Sequence, residues 1–170
     1  TFSHGIDRSV IDAVEVPEEG YRAQARIIAS AGVDLVILEM MRDVEETRLC
    51  LDAAIETGLP VWLGLSAERN DTAGLVLFGS SIPFADGVAE ILDRSDLPHA
   101  VGVMHSEIGI TVEALEAVSR VWNGPTFACP HHGVFEMPHW RFDNTLSTAE
   151  FAEAGVAWVG RGAAAVGGCC

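Results

Sequence analysis

Residues 21–38 read YRAQARIIASAGVDLVIL. Apolar side chains at Tyr21, Ala25, Ile28 and Ala29 recur at helical spacing, Gly32 stands where a helix C-cap belongs, and an apolar run follows over 33–38. The stretch predicts a helix over 21–31 that feeds a buried strand. The same phrase recurs down the chain. Residues 44–57 have a helical period, Gly58 closes them, and 59–65 form the next strand with Pro60 near its start. Helical 84–93 leads to a strand at 100–104, 110–122 to one at 125–129, and 148–161 to one at 163–166.

Five helix-to-strand units in a row, with strands apolar on both faces, predict an α/β fold built on a parallel sheet covered by helices. A Gly-rich phosphate loop of the kind that marks nucleotide-binding open sheets is missing from the sequence, which favours a barrel over a doubly wound sheet. A closed (β/α)8 barrel needs eight units and typically ~250 residues. On that reading residues 1–170 form one partial barrel domain holding about the last five units, with the upstream strands missing. The start at Thr1 and the stop at a cysteine agree with a cut at both ends.

Composition narrows the function classes. The 170 residues are 49% hydrophobic, enough to bury a core. With 25 acidic against 10 basic residues the formal net charge is −15, so nucleic acid and anionic membrane surfaces are not expected partners. No apolar run approaches the ~20 residues that span a bilayer, and no signal peptide opens the chain, so a cytoplasmic location is expected.

Polar side chains follow each strand: Glu39, then Ser66 and Glu68, His105 and Ser106, His131 and His132, and finally Cys169 and Cys170. In parallel α/β folds these strand ends form one rim, where sites are built. Gly167-Gly168-Cys169-Cys170 after an apolar strand suits a tight bend that turns two thiolates toward one borderline-soft cation, and zinc is the expected cofactor. A catalytic zinc keeps three protein ligands and one open position. His105 is the first candidate for the third ligand, with His131 and His132 as competitors. Glu39, at the end of an apolar strand, either holds the amino group of a substrate or pairs with a cation such as Arg42. Cys50 and Cys129 read as small buried hydrophobes.

At Gly167-Gly168-Cys169-Cys170 the chain resembles the homocysteine S-methyltransferase family. The likeness extends upstream through Ala31-Gly32-Val33-Asp34 with Leu38-Glu39, Leu59-Pro60-Val61, Gly102-Val103-Met104-His105-Ser106 and Pro130-His131-His132-Gly133. The resemblance implies a (β/α)8 barrel that binds zinc and transfers a methyl group to the thiol of homocysteine or a related thiol. It implies metal ligands at Cys169, Cys170 and the position of His105, with Glu39 on the substrate. The family has cysteine where His105 stands, so the implied set is Cys2His, with one negative charge fewer. Met40, Met104 and His131 also depart from the family's Thr, Asn and Asn, and the family's N-terminal Asp-Gly segment has no counterpart.

The expected partners are a small thiol and a methyl donor, the donor unspecified and the oligomeric state open. Two other functions compete. One is a barrel hydrolase whose metal is held by His105, His131, His132 and Glu39, and the other is a catalytically inactive barrel remnant.

Overall fold

The computed structural model describes residues 18–136, 139–142 and 145–169, so Cys170 lies outside the described residues. The order of elements is α1 (Glu18–Ser30), β1 (Val36–Met41), α2 (Val44–Ile55), β2 (Val61–Leu65), β3 (Ala67–Asn70), β4 (Gly74–Leu77), α3 (Phe84–Leu92), β5 (Ala100–Glu107), α4 (Ile108–Val121), β6 (Thr126–His131), β7 (Val134–Glu136), β8 (His139–Arg141), α5 (Thr148–Gly160) and β9 (Ala163–Val166). All five expected units are present, and the fold is α/β.

The main sheet has five strands in the order β1-β2-β5-β6-β9, every pair parallel. Each strand therefore lies beside the previous strand of the same sheet, with no reversal of order. A doubly wound sheet reverses at a switch point, whereas successive units of a (β/α)8 barrel do not. The distribution of helices agrees. Register pairs Val36 with Val61, Leu63 with Val101 and Val103 with Ala128, and these residues join one core cluster with Leu51 of α2, Val88 of α3, Leu115 of α4 and Trp158 of α5. The opposite face carries Trp62, Gly64, Gly102 and Phe127, with Trp62 and Phe127 rings 5.3 Å apart. Helices on one face and a lining of side chains on the other is barrel architecture.

Burial follows position in the sheet. The central strand β5 is buried from Ala100 through Ser106, while the outer strands β1 and β9 expose alternate residues, among them Ile37 and Val166.

Helix ends are locally encoded. Asp43 caps α2 by accepting the amide of Glu46, and Ser147 with Glu150 forms a capping box on α5. Such caps contribute about 1 kcal/mol each. Gly32 and Gly58 take φ of +80° and +76°, the left-handed conformation a C-cap glycine supplies. Two hairpins, β3–β4 and β7–β8, stand outside the five units and follow β2 and β6. No helix among the described residues is long and apolar enough to cross a membrane.

Candidate active site at the strand ends

The C-terminal ends of the sheet strands bring His105, His131 and Cys169 together. β6 pairs with β5 through Glu107 and His131, and a further parallel bridge joins His131 to Cys169, whose amide donates to the Pro130 carbonyl at 2.9 Å. The chain reaches that bridge through a narrow passage. A Cβ on Gly167 would lie 3.5 Å from Cys129 Sγ, and one on Gly168 would lie 3.2 Å from the Phe151 ring. The first is ordinary contact and the second is tight, so Gly168 is the glycine that the Phe151 ring favours on the way to Cys169.

Cys169 Sγ lies 3.2 Å from both Nδ1 and Nε2 of His105. His105 is a buried residue, and burial holds its pKa below the usual histidine range. Neighbouring His131 pushes in the same direction, and the Glu39 carboxylate opposes it. Burial also lowers His131, partly offset by a hydrogen bond with the His105 backbone and by the charge of Glu107. Both rings are therefore neutral at neutral pH, the form in which imidazole ligates metals.

The donor types suit zinc, although Sγ is equidistant from both ring nitrogens and so aligned with neither lone pair. A tetrahedral ion with sulfur at ~2.3 Å and nitrogen at ~2.0 Å sets those two ligand atoms roughly 3.5 Å apart. Thiolate sulfur and neutral imidazole are also a borderline-soft donor pair suited to that ion. Among the described residues no group of three or more His, Cys, Asp or Glu side chains is arranged to hold a metal, and Cys170, expected as the remaining ligand, lies outside them.

Glu39 lies near the end of β1, the first of the five parallel strands, and is exposed in this part of the barrel. It stands close enough to His105 for its charge to act there. His132 faces other partners: its Nε2 accepts the Leu146 amide, and its ring lies 5.9 Å from Phe151. With Leu146, Phe151 and Cys169 it lines a cavity of about 420 Å3. Glu68 accepts the Gly79 amide at 2.8 Å and closes the hairpin region, a structural task. The half-buried Cys50 thiol is pushed up to about 12 by burial and by Glu46, which agrees with a side chain that does no chemistry.

Sequence reasoning assigned no task to Glu107, whose charge reaches His131. The only signal for it was its place two residues beyond His105 at a strand end.

Several known proteins are similar to this chain in sequence or in fold. Homocysteine S-methyltransferase 4 of Zea mays is 26% identical over 156 residues, covering 88% of this chain and 44% of its own length. Selenocysteine methyltransferase of Astragalus bisulcatus is 24% identical over 161 residues, covering 92% and 46%. The metallated form of the Escherichia coli homocysteine methyltransferase MmuM superposes with a TM-score of 0.65 at 20% identity, over 92% of this chain and 49% of that one. The carboxyl transferase domain of Rhizobium etli pyruvate carboxylase shares the fold as well, with a TM-score of 0.59 at 17% identity, over 90% and 24%. The chain thus spans about half the length of the curated relatives it matches. The family model of homocysteine S-methyltransferase matches residues 5–170, and the chain belongs to that family.

Proposed function

We propose that the intact protein transfers a methyl group to the thiol of homocysteine or a closely related amino-acid thiol, at the rim holding His105 and Cys169. The observation that carries this reading is the Cys169–His105 contact, a thiol and a neutral imidazole brought together from the ends of two strands. Cys169, His105 and Cys170 would hold zinc. When bound, zinc supplies the positive charge that keeps an incoming thiol in its thiolate form near neutral pH.

The chain's own residues supply binding and alignment. Glu39, whose charge acts at His105, would receive the ammonium group of an amino-acid thiol. The substrate thiol gives up its proton to solvent. Its sulfur then forms the new S–C bond with a lone pair, while the bond from the methyl group to the donor atom breaks and leaves its electron pair on the donor. Such an in-line displacement needs donor and acceptor held in register, and rigid strand ends provide that. The location is taken to be the cytoplasm, where small thiols stay reduced.

The test is direct. The intact protein is incubated with homocysteine and a panel of sulfonium, quaternary ammonium and folate methyl donors, and products are read by mass spectrometry. Methionine formed with at least one donor, and none from heat-treated protein, supports the reading. No thioether from any donor, together with metal-dependent hydrolysis of ester or amide substrates, would replace it with the hydrolase.

A further inference from the structure

Among the described residues, two other than glycine have left-handed backbone, Met40 at φ +57° and His105 at φ +49°. Both stand near the ends of strands, in β1 and β5, and both coincide with a register shift against the neighbouring strand. Side chains rarely adopt that conformation unless the surroundings enforce it. Between the two turns lies Ser66, which is fully buried. Its amide donates to the Met41 carbonyl at 2.8 Å, and its hydroxyl donates to the Met104 carbonyl at 2.7 Å.

The β2–β5 ladder ends at the Leu65–Val103 pair, so beyond it a side-chain hydroxyl replaces the backbone donor that a buried carbonyl needs. Ser106, also fully buried, completes the clasp. Its Oγ accepts the Ala67 amide at 2.8 Å and donates to the same Met104 carbonyl at 3.2 Å.

We propose that Ser66 is a positioning residue that ties the turns at Met40 and His105 together and thereby fixes the His105 imidazole against Cys169. The proposal rests on reading that contact as part of a metal site. Ser66 acts through the Met104 carbonyl, so its effect appears in the metal affinity of the site.

The experiment measures zinc affinity of the intact protein by competition with a chromogenic chelator, for the parent, Ser66→Ala and Thr126→Val. Thr126 is the control. It too is a buried residue whose hydroxyl donates to a backbone carbonyl, that of Gly162 at 3.0 Å, but it stands at the N-terminal end of β6, away from the rim. Ser66→Ala is expected to weaken zinc on the order of 10-fold or more, as removal of a residue that orients a ligand does. Thr126→Val is expected to keep the parent affinity while its melting temperature falls by a similar amount. Ser106→Ala removes the longer arm of the same clasp and gives the same comparison, with smaller weakening, if Ser66→Ala does not fold. Parent-like affinity in the serine variants, or equal weakening in Thr126→Val, would overturn the positioning role and leave the metal reading standing. A parent that binds no zinc would sink the metal reading and the proposal together.

Discussion

Cys169 Sγ and the His105 ring stand 3.2 Å apart across 64 residues of sequence, joined by the parallel ends of β5, β6 and the segment after β9. The contact is made by the fold, so its loss by substitution separates chemistry from folding. Cys169→Ser and His105→Ala are each expected to lower methyl transfer by about 100-fold or more through loss of a metal ligand, with the far-ultraviolet circular dichroism of the parent retained. His105→Cys restores a thiolate at that position and is expected to keep the metal.

Glu39 predicts a split between substrates. Glu39→Gln is expected to raise KM for homocysteine by about 10-fold or more, the weight of a charged hydrogen bond, with a smaller change in kcat. A thiol lacking the amino group should show no such difference between parent and variant. Equal losses with both thiols would remove Glu39 from the substrate.

The glycines of the sheet predict stability. A Cβ on Gly102 would lie 2.3 Å from the Phe127 carbonyl oxygen, which is backbone and cannot yield, whereas one on Gly64 would meet the Met104 sulfur at 2.9 Å and the Leu38 carbonyl oxygen at the less severe distance of 3.1 Å. Gly102→Ala is expected to destabilise by about 3 kcal/mol and Gly64→Ala by about 1 kcal/mol, within the range of overpacked cores. Urea denaturation midpoints check the order.

Cys50 predicts a pattern of thiol reactivity. Its pKa is raised, so the reactive thiolate is scarce until the pH approaches about 12. At pH 8 the metal-free protein is expected to alkylate Cys50 at least about 100-fold more slowly than an unhindered free cysteine. Mass spectrometry of peptides labelled with iodoacetamide gives the rate, which should climb as pH rises.

These expectations draw unequally on sequence and structure. Gly32 and Gly58 were legible because a helix that stops at glycine before an apolar run has one common reading, and both take the left-handed conformation. The first strand was placed too early, over 33–38 where Val36–Met41 forms, because Val33 is apolar yet exposed in the turn after Gly32. The hairpin β3–β4 went unread: Ala67–Asn70 mixes apolar and charged residues over a span too short for a period, although Gly74 with φ +76° marked the turn.

At the site, His105 and Cys169 were legible from their places after strands, and the structure brings them together. The surroundings of Glu39 were less legible, because what packs against β1 depends on topology and on strands that no local segment specifies. The clasp of Ser66 and Ser106 was out of reach for the same reason. It depends on a register shift between strands that no single segment encodes.

The most direct measurement is metal content by elemental analysis of the intact protein, beside a Cys169→Ser/Cys170→Ser variant and a His105→Ala variant. One zinc per chain in the parent, lost in both variants, is the predicted result. Zinc retained after both cysteines are replaced would contradict the account and leave the histidine-based hydrolase in its place.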